Sequence, residues 1–291
     1  SSRTSGFESL ALRFIMSFYI VPTPIGNLKD FSSRSIDILK NSHIILCEKK
    51  ERALKLLNYF EIKPTLLIAY HDDKCEKIAP QVIKELENKK DISLISDAGT
   101  PLISDPGHRI IKILVDKGIE PISVPGPSSI ISALILTTLD ISNFLFLGFL
   151  PKNRNKIEKI LFDKLKLNVP LVILLNSKEL TTLLDILNKN FRGTFLSVTK
   201  EISKINEGTR RGMAEEMINQ TNEEFFNKGE FTVTIKGKEQ EQEGAGLVEM
   251  SNLLKSLQSE GLTLKQSVEI IKNQSKISKK VIYAEALKIW N

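Results

Sequence analysis

The chain has 291 residues, 41% of them hydrophobic and 26% charged, with a formal net charge of +6 at neutral pH. That length predicts two compact domains with room for a small third, and that composition excludes wholesale disorder. Two cysteines and three histidines exclude a disulfide framework and a four-cysteine zinc site and point to a reducing, cytoplasmic setting, while the longest apolar run, Phe144–Leu150, falls far short of the ~20 residues that cross a bilayer.

Residues 1–15 read as an appended leader, because Met16-Ser17-Phe18-Tyr19-Ile20-Val21 has the form of a natural start running into a strand. The leader has neither a contiguous apolar h-region nor a small-residue cleavage site, so it is not read as a signal peptide. Short β-branched or aromatic runs then follow at Phe18–Val21, Ile44–Cys47, Leu66–Tyr70, Ile92–Ser96 and Pro121–Val124. Between them, Ser32–Lys40, Arg52–Phe60, Ile78–Asn88 and Gly107–Lys117 carry apolar residues three and four apart. That alternation predicts βαβ units with a mostly parallel sheet, and an N-terminal α/β domain over 16–139.

From Phe144 the texture changes to FLFLGFLP, a basic connector at Lys152–Lys156, and strands at Leu171–Leu175, Thr194–Thr199 and Glu230–Ile235, which predict a second α/β domain over 140–238. The polar stretch within Gly237–Gly246 has no apolar periodicity and reads as an exposed linker, set at 239–246. Helical spacing at Leu247–Leu257 and Thr263–Asn273, and a third helix capped by Ser278 and running through Trp290, predict a small helical domain over 247–291. Residues 262–291 hold six Lys and two Glu, a local +4, in a unit that resembles a helix-turn-helix. The alternative is a charged, solvated face. Trp290 reads as a packing anchor rather than a base-stacking platform, Cys47 as a buried strand residue and Cys75 as a loop thiol.

Three glycine- and proline-dense loops each follow a predicted parallel strand: Pro22–Leu28 (PTPIGNL), Ser96–Gly107 (SDAGTPLISDPG) and Val124–Ser129 (VPGPSS). In open α/β sheets, ligands sit outside the carboxyl ends of the strands, so the three loops should converge on one site. Gly admits close backbone approach, Pro fixes the path, and each following helix presents free N–H groups. Neither GxxxxGK[ST] nor a GxGxxG after the first strand is present, so the P-loop and dinucleotide readings lose their support.

YIVPTPIGNLKD, SDAGTPLISDPG, VPGPSS and FLFLGFLP, in that order and spacing, resemble the ribosomal small-subunit methyltransferase I family, a branch of the tetrapyrrole-methylase fold. The resemblance runs from about Tyr19 to Gly237, and the tail is similar to that family's helix-turn-helix extension. It implies a two-lobed α/β fold with a small C-terminal helical appendage. It also implies S-adenosyl-L-methionine as methyl donor, a homodimer, and transfer to the ribose 2′-hydroxyl of a cytidine in the decoding region of small-subunit ribosomal RNA in the 30S particle. Neither a membrane nor a metal is called for. Carried over by position, Pro24, Gly26 and Asn27 line the first cofactor loop, Asp97, Gly99, Thr100 and Ile103 the second, and Gly126, Ser128 and Ser129 the third. Thr100, Ser128 and Ser129 supply hydroxyls. Asp97 is the natural partner of an ammonium or sulfonium, with helix capping as its alternative role.

Three other family motifs are altered. Ala-Glu-Asp-Thr-Arg becomes Cys47-Glu48-Lys49-Lys50-Glu51, with Arg52, one position late, as the candidate substitute for the Arg. Tyr-Glu-Ser-Pro-His-Arg becomes Leu175-Asn176-Ser177-Lys178-Glu179-Leu180, keeping only Ser177, which is carried over as cofactor-binding. Arg-Glu-Leu-Thr-Lys becomes Lys200-Glu201-Ile202-Ser203-Lys204, conservative in charge and hydroxyl although Lys cannot make a bidentate Arg contact. A ribose hydroxyl is a poor nucleophile, so a general base is expected: Glu201 with Lys204 as its partner, then Glu48. The alternative for the first two is a surface ion pair at a strand end. Lys152, Arg154, Lys156, Arg210, Arg211, Lys276, Lys279 and Lys280 are candidates for RNA phosphate contact. Two other functions compete: a tetrapyrrole C-methyltransferase, and a catalytically weakened RNA-binding relative that keeps the cofactor site.

Overall fold

In the computed structural model, residues 17–237, 243–274 and 279–290 are described. Residues 1–15, read as a leader, Met16, the first half of the predicted linker (239–242), Lys276 and the Ser278 cap lie outside the described residues.

The first lobe runs β1 (Phe18–Ile20), α1 (Ser33–Asn41), β2 (Ile44–Cys47), α2 (Lys50–Tyr59), β3 (Leu66–Ala69), α3 (Cys75–Glu87), β4 (Ile92–Leu94), α4 (His108–Asp116) and β5 (Ile122–Ser123). All five strands pair in parallel, in the order β3-β2-β4-β1-β5. The two-residue period of β2 shows why helices cover both faces. Ile44 and Leu46 join the core formed with α3 and α4, through residues such as Val82, Leu86, Ile110 and Leu114. Ile45 and Cys47 face the other way, toward Leu39 of α1 and Ala53 and Leu57 of α2. Cys75 departs from the expected loop thiol: it opens α3 and is fully buried. Burial, the largest influence, pushes the Cys47 thiol up to about 11.

A second lobe follows: α5 (Ser129–Ile135), β6 (Leu145–Phe149), α6 (Arg154–Leu165), β7 (Leu171–Asn176), α7 (Ser177–Asn190), β8 (Phe195–Lys200), β9 (Gly208–Met213), α8 (Ala214–Asn219), α9 (Glu224–Asn227) and β10 (Glu230–Ile235). Its sheet order is β6-β7-β10-β8-β9, antiparallel except for β6 with β7. Leu171, Ile173 and Leu175 of β7 pack into a core with α6 and α7, while Val172 on the opposite face meets Ile130 and Leu134 of α5. Helix α5, which begins at the third glycine-proline loop, therefore packs on the second sheet. The expected basic connector at Lys152–Lys156 is shorter than read, because α6 already begins at Arg154, with an i,i+4 ion pair to Glu158 at 3.1 Å.

The chain divides into two compact units, Ser1–Leu165 with Val169–Gly237 and Lys166–Asn168 with Lys238–Asn291. In the second, α10 (Glu243–Ser259), α11 (Leu264–Gln274) and α12 (Lys279–Trp290) bury Met250, Leu254, Val268, Ile271, Ile282 and Ala286, and Trp290 packs against that cluster. Helix α10 starts at Glu243, inside the segment read as linker. No helix among the described residues is long and apolar enough to cross a membrane.

Candidate active site

Strands β4, β1 and β5 are neighbours in the first sheet, so the loops that follow them emerge side by side. The loops are stitched through their backbones. Thr23 N donates to Gly99 O at 2.9 Å and Gly99 N to Thr23 O at 3.0 Å, an isolated antiparallel bridge that needs the left-handed φ of +82° at Gly99. The Thr100 hydroxyl donates to Pro127 O at 3.1 Å, joining the second loop to the third. Ser128 caps α5 by accepting from Ile131 N. Thr100 thus keeps lone pairs and Ser128 keeps its O–H for a ligand.

These loops form one wall of a cavity of about 460 Å³, closed on the other side by the ends of second-lobe strands. Asp97, Gly99, Thr100, Ile103, Ser128 and Ser129 line it, as do Glu48, Glu201 and Lys204. Asn27 and Gly126 line an adjoining hollow that shares Ile25, Ile202 and Lys204 with the first. Gly26 acts by its smallness: a Cβ there would lie 2.5 Å from Lys204 Cγ and 2.8 Å from Ser203 O. Pro24 lies in the first loop but lines neither space. Ser177 departs most from its expected role, because it does not line the cavity and its hydroxyl is donated to Phe226 O.

Lys49, Asp105, Phe149, Asn176, Glu179 and Glu230 were not among the expected site residues, yet they also line the cavity. One signal was present: Asn176-x-x-Glu179 has capping-box spacing, and in the structure Glu179 N donates to Asn176 Oδ1 at 3.0 Å and Asn176 N to Glu179 Oε2 at 2.9 Å. Arg52, the shifted substitute, also reaches the site. Asp97 Oδ2 is buried, 3.2 Å from Arg52 Nη1 and 3.3 Å from Lys49 Nζ, in contacts of charge rather than aligned hydrogen bonds.

Glu201 and Lys204 form an ion pair at 3.1 Å in a turn where Glu201 and Ser203 have φ of +49° and +66°. Glu201 also accepts from Glu230 N at 2.7 Å, and Lys204 reaches Glu230 at 2.9 Å. Burial pushes the Glu201 carboxyl up, but the Glu230 N–H and Lys204 outweigh it and hold the group below the usual carboxylate range. Burial likewise pulls the Lys204 ammonium down, and Glu230 and Glu201 outweigh it. Both Glu201 oxygens are committed, so it is an anchor of the turn rather than a free base. Glu48, the second candidate, lies 3.5 Å from Lys49 Nζ.

Among the described residues, six carboxylates (Glu48, Asp97, Asp105, Glu179, Glu201 and Glu230) line the cavity against three cations (Lys49, Arg52 and Lys204). That balance favours a ligand carrying net positive charge. Among the basic residues expected at RNA, Arg154 pairs with Asp185 at 2.6 Å, Arg210 with Glu223 at 3.3 Å and Lys279 with Glu269 at 2.9 Å, while Arg211 donates to Leu136 O. Lys152 and Lys156 are exposed.

Two α/β lobes with loops from adjacent parallel strands over a shared cavity define a methyltransferase of the tetrapyrrole-methylase class: residues 17–218 match the family model of Tetrapyrrole (Corrin/Porphyrin) Methylases. The fold is also similar to that of a cobalt precorrin-4 methyltransferase of cobalamin biosynthesis, with a TM-score of 0.55 and 15% identity over 78% of this chain and 98% of that one. The ribosomal RNA small subunit methyltransferase I of Rickettsia prowazekii is 36% identical over 91% of this chain and 94% of its own length. That of Thermotoga maritima is 36% identical over 76% of this chain and 98% of its own. The chain belongs to the tetrapyrrole methylase family and, within it, to the ribosomal RNA small subunit methyltransferase I family.

Proposed function

We propose that this protein transfers a methyl group from S-adenosylmethionine to small-subunit ribosomal RNA in the cytoplasm, the acceptor being the 2′-hydroxyl of a cytidine ribose in the decoding region. The names of its relatives support the RNA substrate. The single observation that carries the donor assignment is the acidic cavity at the stitched loops. S-adenosylmethionine joins a sulfonium and an ammonium to one carboxylate, so its net charge opposes that of the lining. When bound, it supplies an electrophilic methyl group.

The chain's own residues divide the remaining work. Backbone groups around Gly99, with Thr100, Ser128 and Ser129, offer the neutral donors and acceptors that a nucleoside moiety needs. Asp97, held beside Lys49 and Arg52, offers a buried carboxylate to a cation. The turn anchored by Glu201 and Lys204 fixes the opposite wall, which excludes water and holds reacting atoms in near-attack geometry. RNA phosphates are repelled by this lining and meet exposed cations such as Lys152 and Lys156 outside it.

Titration calorimetry with S-adenosylmethionine and S-adenosylhomocysteine tests the donor assignment, and labelled donor with either 30S particles or a porphyrinogen tests the acceptor. Binding of both ligands and label in the particles is expected. Absence of binding overturns the enzyme reading. Binding with label only in the porphyrinogen makes the protein a tetrapyrrole C-methyltransferase, and binding without any transfer makes it a weakened relative.

A further inference from the structure

We propose that Asp105 is the general base of the transfer, taking the proton from the acceptor hydroxyl; this rests on the methyl-transfer reading above. Asp105 lines the cavity from the loop between β4 and α4. That loop is held in an uncommon conformation around it: Leu102 and Ser104 have φ of +72° and +69°, and Gly107 has +139°. Left-handed non-glycine residues persist only where the surroundings enforce them, and they concentrate where a side chain must be aimed.

Elimination gives the same residue. Facing Asp105 from the loop after β2, Glu48 is paired with Lys49, while on its own loop Asp97 is held by Lys49 and Arg52. From the second lobe, Glu179 is committed to the α7 cap, Glu201 to Glu230 N and Lys204, and Glu230 to Lys204. Among the described residues, Asp105 alone of the six lining carboxylates has neither a cationic partner nor a cap to hold, and its polar neighbour is the Ser96 hydroxyl. Burial pushes its carboxyl up to about 6, Glu48 and Asp97 add to the rise, and Ser96 offsets part of it. At neutral pH the group is therefore ionised yet more basic than an ordinary aspartate, the condition a general base needs.

In the step, Asp105 accepts the hydroxyl proton as the oxygen lone pair forms the bond to the methyl carbon. The electron pair of the broken carbon–sulfur bond stays on sulfur, which becomes a neutral thioether, and Asp105 then passes the proton to water.

The test compares the unsubstituted protein with Asp105→Asn in methyl transfer to 30S particles, S-adenosylhomocysteine binding, and thermal midpoint between pH 4 and 8. For the unsubstituted protein, kcat/KM should fall tenfold per pH unit below about pH 6. Asp105→Asn should lose roughly 100-fold or more in turnover and lose that acid limb, with S-adenosylhomocysteine affinity within about threefold. The stability readout needs no turnover. A carboxyl whose folded pKa is raised costs stability as pH rises from its unfolded value to its folded one, so Asp105→Asn should gain in Tm relative to the parent between about pH 4 and 6 and hold the gain above. A variant with parental turnover or an intact acid limb overturns the base. If Asp105→Asn does not fold, the parent's own pH profile decides: a flat profile across pH 6 overturns the proposal. No transfer by the unsubstituted protein, despite S-adenosylhomocysteine binding, overturns the methyl-transfer reading itself and the base with it.

Discussion

The two walls of the cavity are built by different physics. On the first-lobe side, Thr23 and Gly99 exchange backbone hydrogen bonds and Thr100 reaches Pro127 O, so the wall is a backbone surface fixed by glycine and proline. On the second-lobe side, the wall is the Glu201–Lys204–Glu230 ion network and the Asn176–Glu179 capping box, side chains holding side chains and strand ends. A backbone surface demands specific residues at specific positions. An ionic one accepts any residues that restore charge and reach. That is why the three glycine- and proline-dense loops keep their family strings, while the charged segments CEKKE, LNSKEL and KEISK differ from the family pattern and still line a formed cavity.

Substitutions separate the two kinds of wall. The largest effect is expected at Gly107, where φ is +139° and an added Cβ would lie 2.7 Å from Leu94 Cδ2. Gly107→Ala should cost about 3 kcal/mol from backbone strain and overpacking. Thermal denaturation should then show a Tm lowered by roughly 6–12 °C, and a change within one degree would mean that the loop is not held as described. Gly26→Ala comes next. Its methyl would push on Ser203 O and Lys204 where the walls meet, so donor affinity measured by calorimetry should fall about tenfold, equivalent to about 1.4 kcal/mol. Undiminished affinity would show that the second wall yields freely. The smallest effect is at Ser177, whose hydroxyl serves Phe226 O: Ser177→Ala should lose about 1 kcal/mol of stability and leave donor affinity unchanged. A drop in affinity would restore its expected place in the cofactor site.

The same contrast governs what the sequence made legible. The first-lobe strands lie within one or two residues of the runs that predict them, and the signal is plainest at β2 and β4, which are buried throughout and so demand side chains that tolerate burial on both faces. The three loops carried the cavity's position, since glycine and proline report backbone paths directly. Strand β9 was not legible: GTRRGM has no alternating apolar pattern, because it is the exposed edge of its sheet and is recruited by pairing with β8. Asp105 and Lys49 were passed over because their roles depend on the charges around them, and Lys49 meets Asp97, and Glu48 meets Asp105, only when the loops after β2 and β4 come together. Ser177 shows the reverse case, a residue carried over by a motif while its hydroxyl donates to Phe226 O.

Mass-spectrometric mapping of methylated nucleotides in small-subunit ribosomal RNA, with and without this protein, tests the central claim most directly. The account predicts one added methyl, on the ribose of a cytidine in the decoding region, present only when the active protein is supplied. An unchanged map, or a methyl placed on a base instead of a ribose, would contradict it.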